Sequence, residues 1–447
     1  MELKERIKLK GQNLKIKEEL TLTNPLYTDA VKMGRWSRNI PKKLYFYEEK
    51  EGSIYIPKGY LYELKKVKGK ITDNRRLFED IEFHFSGTPK DYQSKAIRKA
   101  LKEEMGVIQA PTGSGKTVIA LAIIAERKQP TIIIVHTKDL MEQWKSRIEQ
   151  FLGIPKHKVG TIGGGGNQFI GEQITIAMVQ TLYSIAPAVY KHFSHVVVDE
   201  CHRVPSRTFT EALIHFDATY YLGLSATPYR RDGLTKLINW YMGPTVYEVK
   251  NSNMIKKKAI LPIIVFHRRT KFKTKFNSVW QYPQMIKELT EDKKRNEMLV
   301  KDALRVSKKG TVLLLSDRKE HLIKLYDEIV KEEKKIALLT GSQPIAIRNK
   351  EIERINKGEV KIVLATGQLI GEGFDCKELC NLMLTTPIKF SGRLLQYLGR
   401  VLRPMKGKKI AKIYDYIDVN IDTLLRSSGE RDRIYKKEFN ITFKEED

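Results

Sequence analysis

The chain has 447 residues, 41% of them hydrophobic, so it can bury several cores and is not a disordered tail. Lys plus Arg number 81 against 53 Asp plus Glu, a formal net charge of +28 that repels itself unless a polyanion is present, which makes nucleic acid the leading partner class. An anionic membrane usually recruits a local basic helix or tail, whereas here the first eighty residues hold 19 basic and 12 acidic side chains and the remainder carries most of the excess.

Residues 1–82 read as a small α+β module at the N-terminus. Its opening MELKERIKLK lacks the apolar core of a secretory leader. Tyr27, Trp36, Tyr45, Phe46, Tyr47, Tyr55, Tyr60 and Tyr62 are interleaved with Arg35, Arg38, Lys42 and Lys43. The alternation in Lys43–Tyr47 and Ser53–Ile56 predicts a small sheet. Trp36 is expected in the core of this module. The cations around it are the better candidates for duplex contact, because charged tips stay solvated when DNA is absent.

Residues 83–255 alternate short apolar runs with amphipathic stretches. The runs are Gly106–Ala110, Thr131–His136, Ile174–Met178, His195–Val198 and Tyr221–Ser225. Val- and Ile-rich runs of that length, separated by helical patterns, predict buried parallel strands in βαβ units. Residues 256–447 repeat the pattern in Thr311–Ser316, Ile336–Leu339, Lys361–Ala365, Leu382–Thr385 and Ile410–Tyr416. The fold class is therefore α/β, with two doubly wound parallel-sheet domains in tandem behind the N-terminal module. A mixed stretch from Lys250 to Asp292 joins the two sets and contains the basic segment Lys271–Lys275. No apolar stretch is long enough to cross a bilayer, so no membrane partner is expected.

Ala110-Pro-Thr-Gly-Ser-Gly-Lys-Thr117 matches a phosphate-binding loop in which alanine replaces the first glycine. Gly113 and Gly115 let backbone N–H groups curl around phosphates, and the helix behind them points its positive N-terminus at the anion. Pro111, Thr112 and Ser114 complete the loop. Lys116 can reach the β- and γ-phosphates, and the Thr117 hydroxyl can ligate Mg²⁺. An incidental Gly-rich turn is the bland reading. It loses force because an apolar strand precedes the loop and the amphipathic Val118–Glu126 follows it. Val196-Val-Val-Asp-Glu-Cys-His202 ends an apolar strand in adjacent carboxylates, which places Asp199 and Glu200 with Thr117 at a Mg²⁺ site, Asp199 as its main holder and Glu200 to polarise the attacking water. Cys201 and His202 suggest zinc only weakly, since no ligands lie at zinc spacing. The three cysteines, Cys201, Cys376 and Cys380, contain no CxxC pair and fit a reducing compartment.

On these residues the chain resembles the superfamily-2 helicases of the DEAH/DECH-box type. Asp199-Glu-Cys-His202 is similar to their carboxylate box, and Tyr92-Gln93 to the glutamine motif that reads adenine. Ser225-Ala-Thr227 resembles motif III, and Thr366 with Gly371-Glu-Gly-Phe-Asp375 resembles motif V, which adds Gly373 and Asp375 to the nucleotide site. Gln396-Tyr-Leu-Gly-Arg-Val-Leu-Arg403 resembles motif VI. The resemblance implies two RecA-like domains with ATP and Mg²⁺ in the cleft between them. Gln396, Arg400 and Arg403 would serve the γ-phosphate, the two arginines falling on one helix face at i,i+3 spacing. Family position also implies backbone contacts to nucleic acid from Thr137, Gln180, Thr181, Arg318, Thr340, Gly341 and Thr366, with ordinary strand termination as the lesser reading of each.

Finer likeness points to the group containing XPB, RecG and the phage UvsW branch-migration helicases. It rests on Gly223-Leu-Ser-Ala-Thr-Pro-Tyr-Arg-Arg-Asp-Gly233, Ile162-Gly-Gly-Gly165, Leu289-Thr-Glu-Asp292 and Met33-Gly-Arg-Trp-Ser-Arg38. It implies an ATP-dependent helicase that reverses forks and migrates Holliday junctions in replication, recombination or repair. Such an enzyme would act as a monomer on branched DNA in a bacterial or phage-infected cytoplasm, with replication or recombination proteins as partners. RNA helicase and translocase subunit of a restriction assembly are the alternatives. Gly163–Gly166 is read either as a close-approach site for DNA or as a flexible turn. Trp144 is expected as core packing. The i,i+4 spacing of Cys376 and Cys380 would let them meet on a helix face, but buried free thiols are the expected reading.

Overall fold

The computed structural model describes all residues except 12, 33, 35–37, 65–70, 169–172, 186, 230–231, 257–259, 372–377, 389–390, 406, 440 and 446–447. Arg35, Trp36, Gly373, Asp375 and Cys376 therefore lie outside the described residues. The chain divides into two compact units, Met1–Ala110 with Gly115–Val249, and Lys250–Asp447 with Pro111–Ser114. No helix among the described residues is long and apolar enough to cross a membrane.

The first unit opens with short strands: β1 (Glu2–Leu3), β2 (Ile7–Lys10), β3 (Thr21–Thr23), β4 (Lys43–Tyr45), β5 (Glu48–Lys50), β6 (Ser53–Ile56) and β7 (Thr72–Asp73). They form a five-stranded sheet in the order β5-β6-β2-β1-β7 and a separate β3-β4 pair. The helices Leu14–Glu19 and Pro25–Lys32 complete a small α+β arrangement. Behind it lie β8 (Met105–Gln109), β9 (Thr131–Val135), β10 (Gly160–Ile162), β11 (Asn167–Gln168), β12 (Ile174–Met178), β13 (His195–Asp199), β14 (Tyr220–Ser225) and β15 (Thr245–Glu248). These make one sheet in the order β11-β10-β12-β9-β13-β14-β8-β15, parallel except at the β10-β11 edge. Ile132, Ile133 and Ile134 are fully buried, as both faces of a central parallel strand must be when crossover helices cover them.

The second unit holds β16 (Ile263–Thr270), β17 (Thr311–Ser316), β18 (Ile336–Leu339), β19 (Ile362–Thr366), β20 (Leu379–Leu384), β21 (Ala411–Asp418) and β22 (Thr442–Glu445). The sheet is parallel throughout, in the order β18-β19-β17-β20-β21-β16-β22. Two doubly wound, RecA-like sheets in tandem behind a small α+β element are the fold the apolar runs predict. Cys380 lies on β20 as a half-buried free thiol, on a strand and not on a helix face. Its stretch Leu379–Leu384 is buried at nearly every position and pairs along β17 and β21.

The N-terminal strands share a core with the first parallel sheet. One apolar cluster runs from Leu3, Ile7, Ile54 and Tyr60 through Trp240 to Val107, Ile132 and Val196. Lys58, only 6% exposed, sits at the join. Its Nζ donates to the carbonyls of Phe216 at 2.8 Å and Ala218 at 3.1 Å and to the Tyr221 hydroxyl at 2.6 Å. Burial drives the pKa of this ammonium well below its usual value. Gly59 passes so close to the Asn239 and Trp240 carbonyls that a Cβ would lie 2.2 Å from the nearer oxygen. Arg76 adds a bidentate pair to Asp217, with bonds of 2.8–3.2 Å.

Replacing Lys58 by Met keeps most of the packing but strands the Ala218 carbonyl. Calorimetry should show a loss of about 2 kcal/mol, the usual cost of an orphaned buried acceptor, and a melting temperature lower by roughly 4–8 °C for a unit of this size. An unchanged or raised melting temperature would mean that relief of lysine desolvation outweighs the lost bonds.

Candidate active site

The chemistry-bearing loops leave the carboxyl ends of the strands of the first parallel sheet, where doubly wound sheets bind ligands. The phosphate-loop match follows β8. Its Ala110 N–H donates to the Ser225 carbonyl at the end of β14, 2.9 Å away. Ser114 closes the turn by donating its N–H and hydroxyl to the Pro111 carbonyl, at 3.1 and 2.6 Å. Gly113 and Gly115 hold φ of +84° and +78°, the left-handed region that favours glycine. At Gly115 a Cβ would also lie 2.4 Å from the Gln93 amide nitrogen, so the glutamine motif rests against the loop. Tyr92 and Gln93 are buried on the helix Asp91–Ala100, and the Gln93 side-chain oxygen accepts from the Lys90 N–H at 2.8 Å. The helix Lys116–Arg127 starts directly after Gly115, with Thr117 in its first turn. The Lys116 ammonium donates to the Ala110 carbonyl at 3.2 Å.

The carboxylate pair ends β13, two strands away in the sheet order. Asp199 is buried. One of its oxygens accepts the Glu200 N–H and the other accepts the Trp144 indole N–H, each at 2.9 Å. Trp144 is thus core packing, as expected, and also a donor to the site, which its apolar helix pattern did not reveal. Glu200 has φ +51°, a strained setting for a side chain of its size and one typical of functional positions. Its carboxylate lies 3.2 Å from His202 Nδ1, and that nitrogen is also 3.2 Å from the Ser225 hydroxyl. Ser225 Oγ accepts from the Thr227 N–H at 3.1 Å. The carboxylate box and the Ser-Ala-Thr segment are therefore joined by a histidine bridge.

Burial, then the adjacent Glu200 charge, pushes the Asp199 carboxyl up. Burial would raise Glu200 too, but Lys116 and His202 outweigh it and hold that carboxyl below the usual range. The pair calls for a further cation, and the donor set fits Mg²⁺, which binds through one or two carboxylates, a hydroxyl, substrate phosphates and water. Among the described residues no group of three or more His, Cys, Asp or Glu could form an all-protein metal cage. Cys201 is buried, with burial raising its thiol pKa. His136, at the end of β9, has both ring nitrogens buried without a hydrogen-bond partner. Burial, then Arg203, lowers its pKa to about 4.

The residues assigned to nucleic acid lie along the same sheet edges. Thr137 follows β9 and caps the helix Lys138–Leu152 by accepting from the Leu140 N–H at 3.3 Å. Gln180 and Thr181 follow β12, the neighbour of β9. The Gly163 turn has φ +87° and leaves no room for a side chain, since a Cβ would sit 2.5 Å from the Thr181 hydroxyl. In the second unit Arg318, Thr340 and Thr366 stand at the ends of the adjoining strands β17, β18 and β19, with Ser316 opposite Thr366 in register. Thr340 is buried and Gly341 exposed. Arg38, Lys42 and Lys43 are exposed on the N-terminal element.

Motif VI corrects one expectation. Gln396 and Arg400 lie on the helix Ser391–Val401, but Arg403 lies past its end, so the two arginines do not share a helix face. Pro404 disfavours helical backbone at the residue before it. Lys408 fixes the exit by donating to the Val401 carbonyl at 2.6 Å and the Arg403 carbonyl at 3.2 Å. Gly367, which the motif reading passed over, meets Tyr397 of this helix so closely that any Cβ would clash with its hydroxyl.

Trp144→Phe keeps the ring but removes the donor to Asp199. The Mg²⁺ concentration for half-maximal ATP hydrolysis should rise about tenfold, the lower end of losses seen when a group behind a metal ligand is removed; an unchanged Mg²⁺ curve would contradict the role. Lys116→Ala should lose nucleotide binding by fluorescent-ATP titration. Glu200→Gln should bind nucleotide yet lose at least about a hundredfold in turnover, as expected for a general base. Full activity in either variant would remove the site assignment.

Two family models match the chain in order, "Type III restriction enzyme, res subunit" over residues 86–230 and "Helicase conserved C-terminal domain" over residues 294–405. The DNA 3'-5' translocase XPB2 of Sulfurisphaera tokodaii is 40% identical over 158 residues, 35% of this chain and 35% of that protein. The chain thus spans about a third of that relative's length. A putative ATP-dependent RNA helicase, L396 of Acanthamoeba polyphaga mimivirus, is 28% identical over 88% of this chain and 77% of its own. The ATP-dependent DNA helicase uvsW of Enterobacteria phage T4 is 23% identical over 74% of this chain and 68% of its own. With these two family models in series along the chain, it belongs to the superfamily-2 helicases.

Proposed function

We propose that this helicase is a DNA motor that uses ATP and Mg²⁺ to remodel branched duplexes by reversing forks and migrating junctions. The observation that carries the reading is the order of loops along one sheet edge. The phosphate loop, the Ser-Ala-Thr segment and the carboxylate pair leave β8, β14 and β13, and the prospective track residues leave the next strands, β9 and β12. At about 4.8 Å per strand, Thr137 stands roughly 14 Å along the sheet from the phosphate loop. A change at the γ-phosphate can therefore reach the track through adjoining loops, with His202 and Ser225 already in contact.

In this reading Lys116 holds the phosphates and Glu200 orients the attacking water. Gln396, Arg400 and Arg403, with Gly373 and Asp375, are assigned to the nucleotide during hydrolysis. Thr117 and Asp199 would hold Mg²⁺, which supplies charge neutralisation at the β- and γ-phosphate oxygens. Thr137, Gln180, Thr181, Arg318, Thr340, Gly341 and Thr366 would grip the sugar–phosphate backbone, as stepping without regard to sequence requires. Residues 1–82 would form the accessory domain, with Arg35, Arg38, Lys42 and Lys43 on the duplex arms. The net charge of +28 and the relatives named as DNA translocase and DNA helicase support DNA as the track. We place the enzyme in the cytoplasm as a monomer on its substrate. RNA is the second reading, favoured by the relative named as an RNA helicase.

Strand displacement with ATP and Mg²⁺ on synthetic forks, Holliday junctions and linear tailed duplexes tests the refinement. Branched substrates should be resolved at least several-fold faster than linear ones. A preference for linear tailed duplexes would overturn it.

A further inference from the structure

The stretch between β16 and the helix Tyr282–Glu291 is a basic arm with a core of its own. Lys271, Lys273 and Lys275 are exposed, whereas Phe272, Thr274 and Phe276 alternate with them and are turned inward. Phe272 is buried in a small cluster with Met285, Ile286, Leu289, Ile421 and Leu424, against which Phe276 and Tyr282 also pack. Thr274 donates its hydroxyl to Glu288 and accepts from the Phe276 N–H at 3.1 Å, and Asn420 donates to the Phe272 carbonyl at 3.2 Å. The three lysines thus share the exposed side of a segment whose alternate residues face inward.

The segment leads into a fixed turn. The Asn277 side-chain oxygen accepts from the Val279 N–H at 3.0 Å and the Trp280 N–H at 3.1 Å, and the Asn277 N–H donates to the Gln281 side chain at 3.0 Å. This clamp holds Trp280 outward, 68% exposed, with Val279 beside it at 64%. The contrast with Trp144 and Trp240, both at most 2% exposed, is sharp. A tryptophan left in water on a braced turn offers a π-face whose backbone needs no further ordering on binding. Three exposed lysines just ahead of it in the chain, with no acidic residue from Lys271 to Gln281, match a polyanion that also carries flat bases.

We infer that the Lys271–Trp280 arm is a single-strand contact, in which the lysines follow the phosphates and Trp280 stacks on an unpaired base. A motor that opens or re-anneals a junction exposes such bases, so the inference rests on the DNA-motor reading. It adds a contact that the helicase motifs do not contain.

The test is titration of the full chain with a dT20 oligonucleotide, followed by intrinsic tryptophan fluorescence and by anisotropy of labelled dT20 at several salt concentrations. Wild-type fluorescence should be quenched. Trp280→Ala should lose most of the quenching and bind about tenfold more weakly, within the range for removing one base–aromatic stack. Replacing Lys271, Lys273 and Lys275 together by Ala should lower the slope of log affinity against log salt by about 2, at ~0.7 per phosphate neutralised on a single strand. ATPase activity without DNA should be unchanged in both variants, which checks that they fold. If both variants match the wild type in affinity, quenching and salt slope while DNA still stimulates the wild-type ATPase, the inference fails alone and the exposed indole belongs to an apolar partner. If duplex DNA stimulates the wild type but dT20 does not bind, the inference also fails. If no DNA stimulates the wild type, the motor reading fails with it.

Discussion

Two carboxylates side by side at the buried end of one strand repel each other, and much of the first unit's chemistry follows from how that repulsion is met. The Trp144 indole and the Glu200 amide each give Asp199 a donor, the Lys116 charge favours both carboxylates, and His202 faces Glu200. What they leave is an Asp199 with a raised pKa, a site that gains from a divalent cation and polyphosphate. Glu200 keeps a depressed pKa, and its backbone is held at positive φ. Strain and mismatched acidities at one point are the mark of a site built for reaction, because a strand terminus selected for stability alone would discard both.

The parallel sheets supply the geometry this chemistry needs. Because each strand hands its chain to a crossover helix at the same edge, loops distant in sequence become neighbours: Ala110 meets Ser225, Ser225 meets His202, and Gly163 meets Thr181. The same logic sets Arg318, Thr340 and Thr366 on adjoining strands of the second sheet. The N-terminal strands belong to the same apolar core as the first parallel sheet. Lys58 and Gly59 seat that element directly against the Phe216–Tyr221 and Asn239–Trp240 segments.

Strands with uniform burial were legible from sequence to within a few residues, and Ile174–Met178, Thr311–Ser316 and Ile336–Leu339 agree at both ends. The phosphate loop and carboxylate box were legible because phosphate chemistry tolerates few alternatives at those spacings. The strand Ile263–Thr270 escaped notice, because its His267-Arg-Arg triplet reads as solvent-facing. In the fold Arg268 is buried and forms a bidentate pair with Asp302, a residue thirty-four positions away. Trp144 and Lys58 were hidden for the same reason. A residue's polar partner across a sheet leaves no local period, so core packing and site support look alike in one dimension. The helix-face spacing of Arg400 and Arg403 misled because Pro404 ends the helix first.

The central claim is that the buried carboxylate pair and its phosphate loop drive a motor on DNA. Steady-state ATP hydrolysis by the full chain, with no nucleic acid, with forked DNA and with RNA of matched length, tests it most directly. The account predicts slow turnover alone, stimulation of at least about tenfold by DNA, a barrier change of ~1.4 kcal/mol, and little stimulation by RNA. Equal turnover in all three conditions, or stimulation by RNA alone, would contradict it.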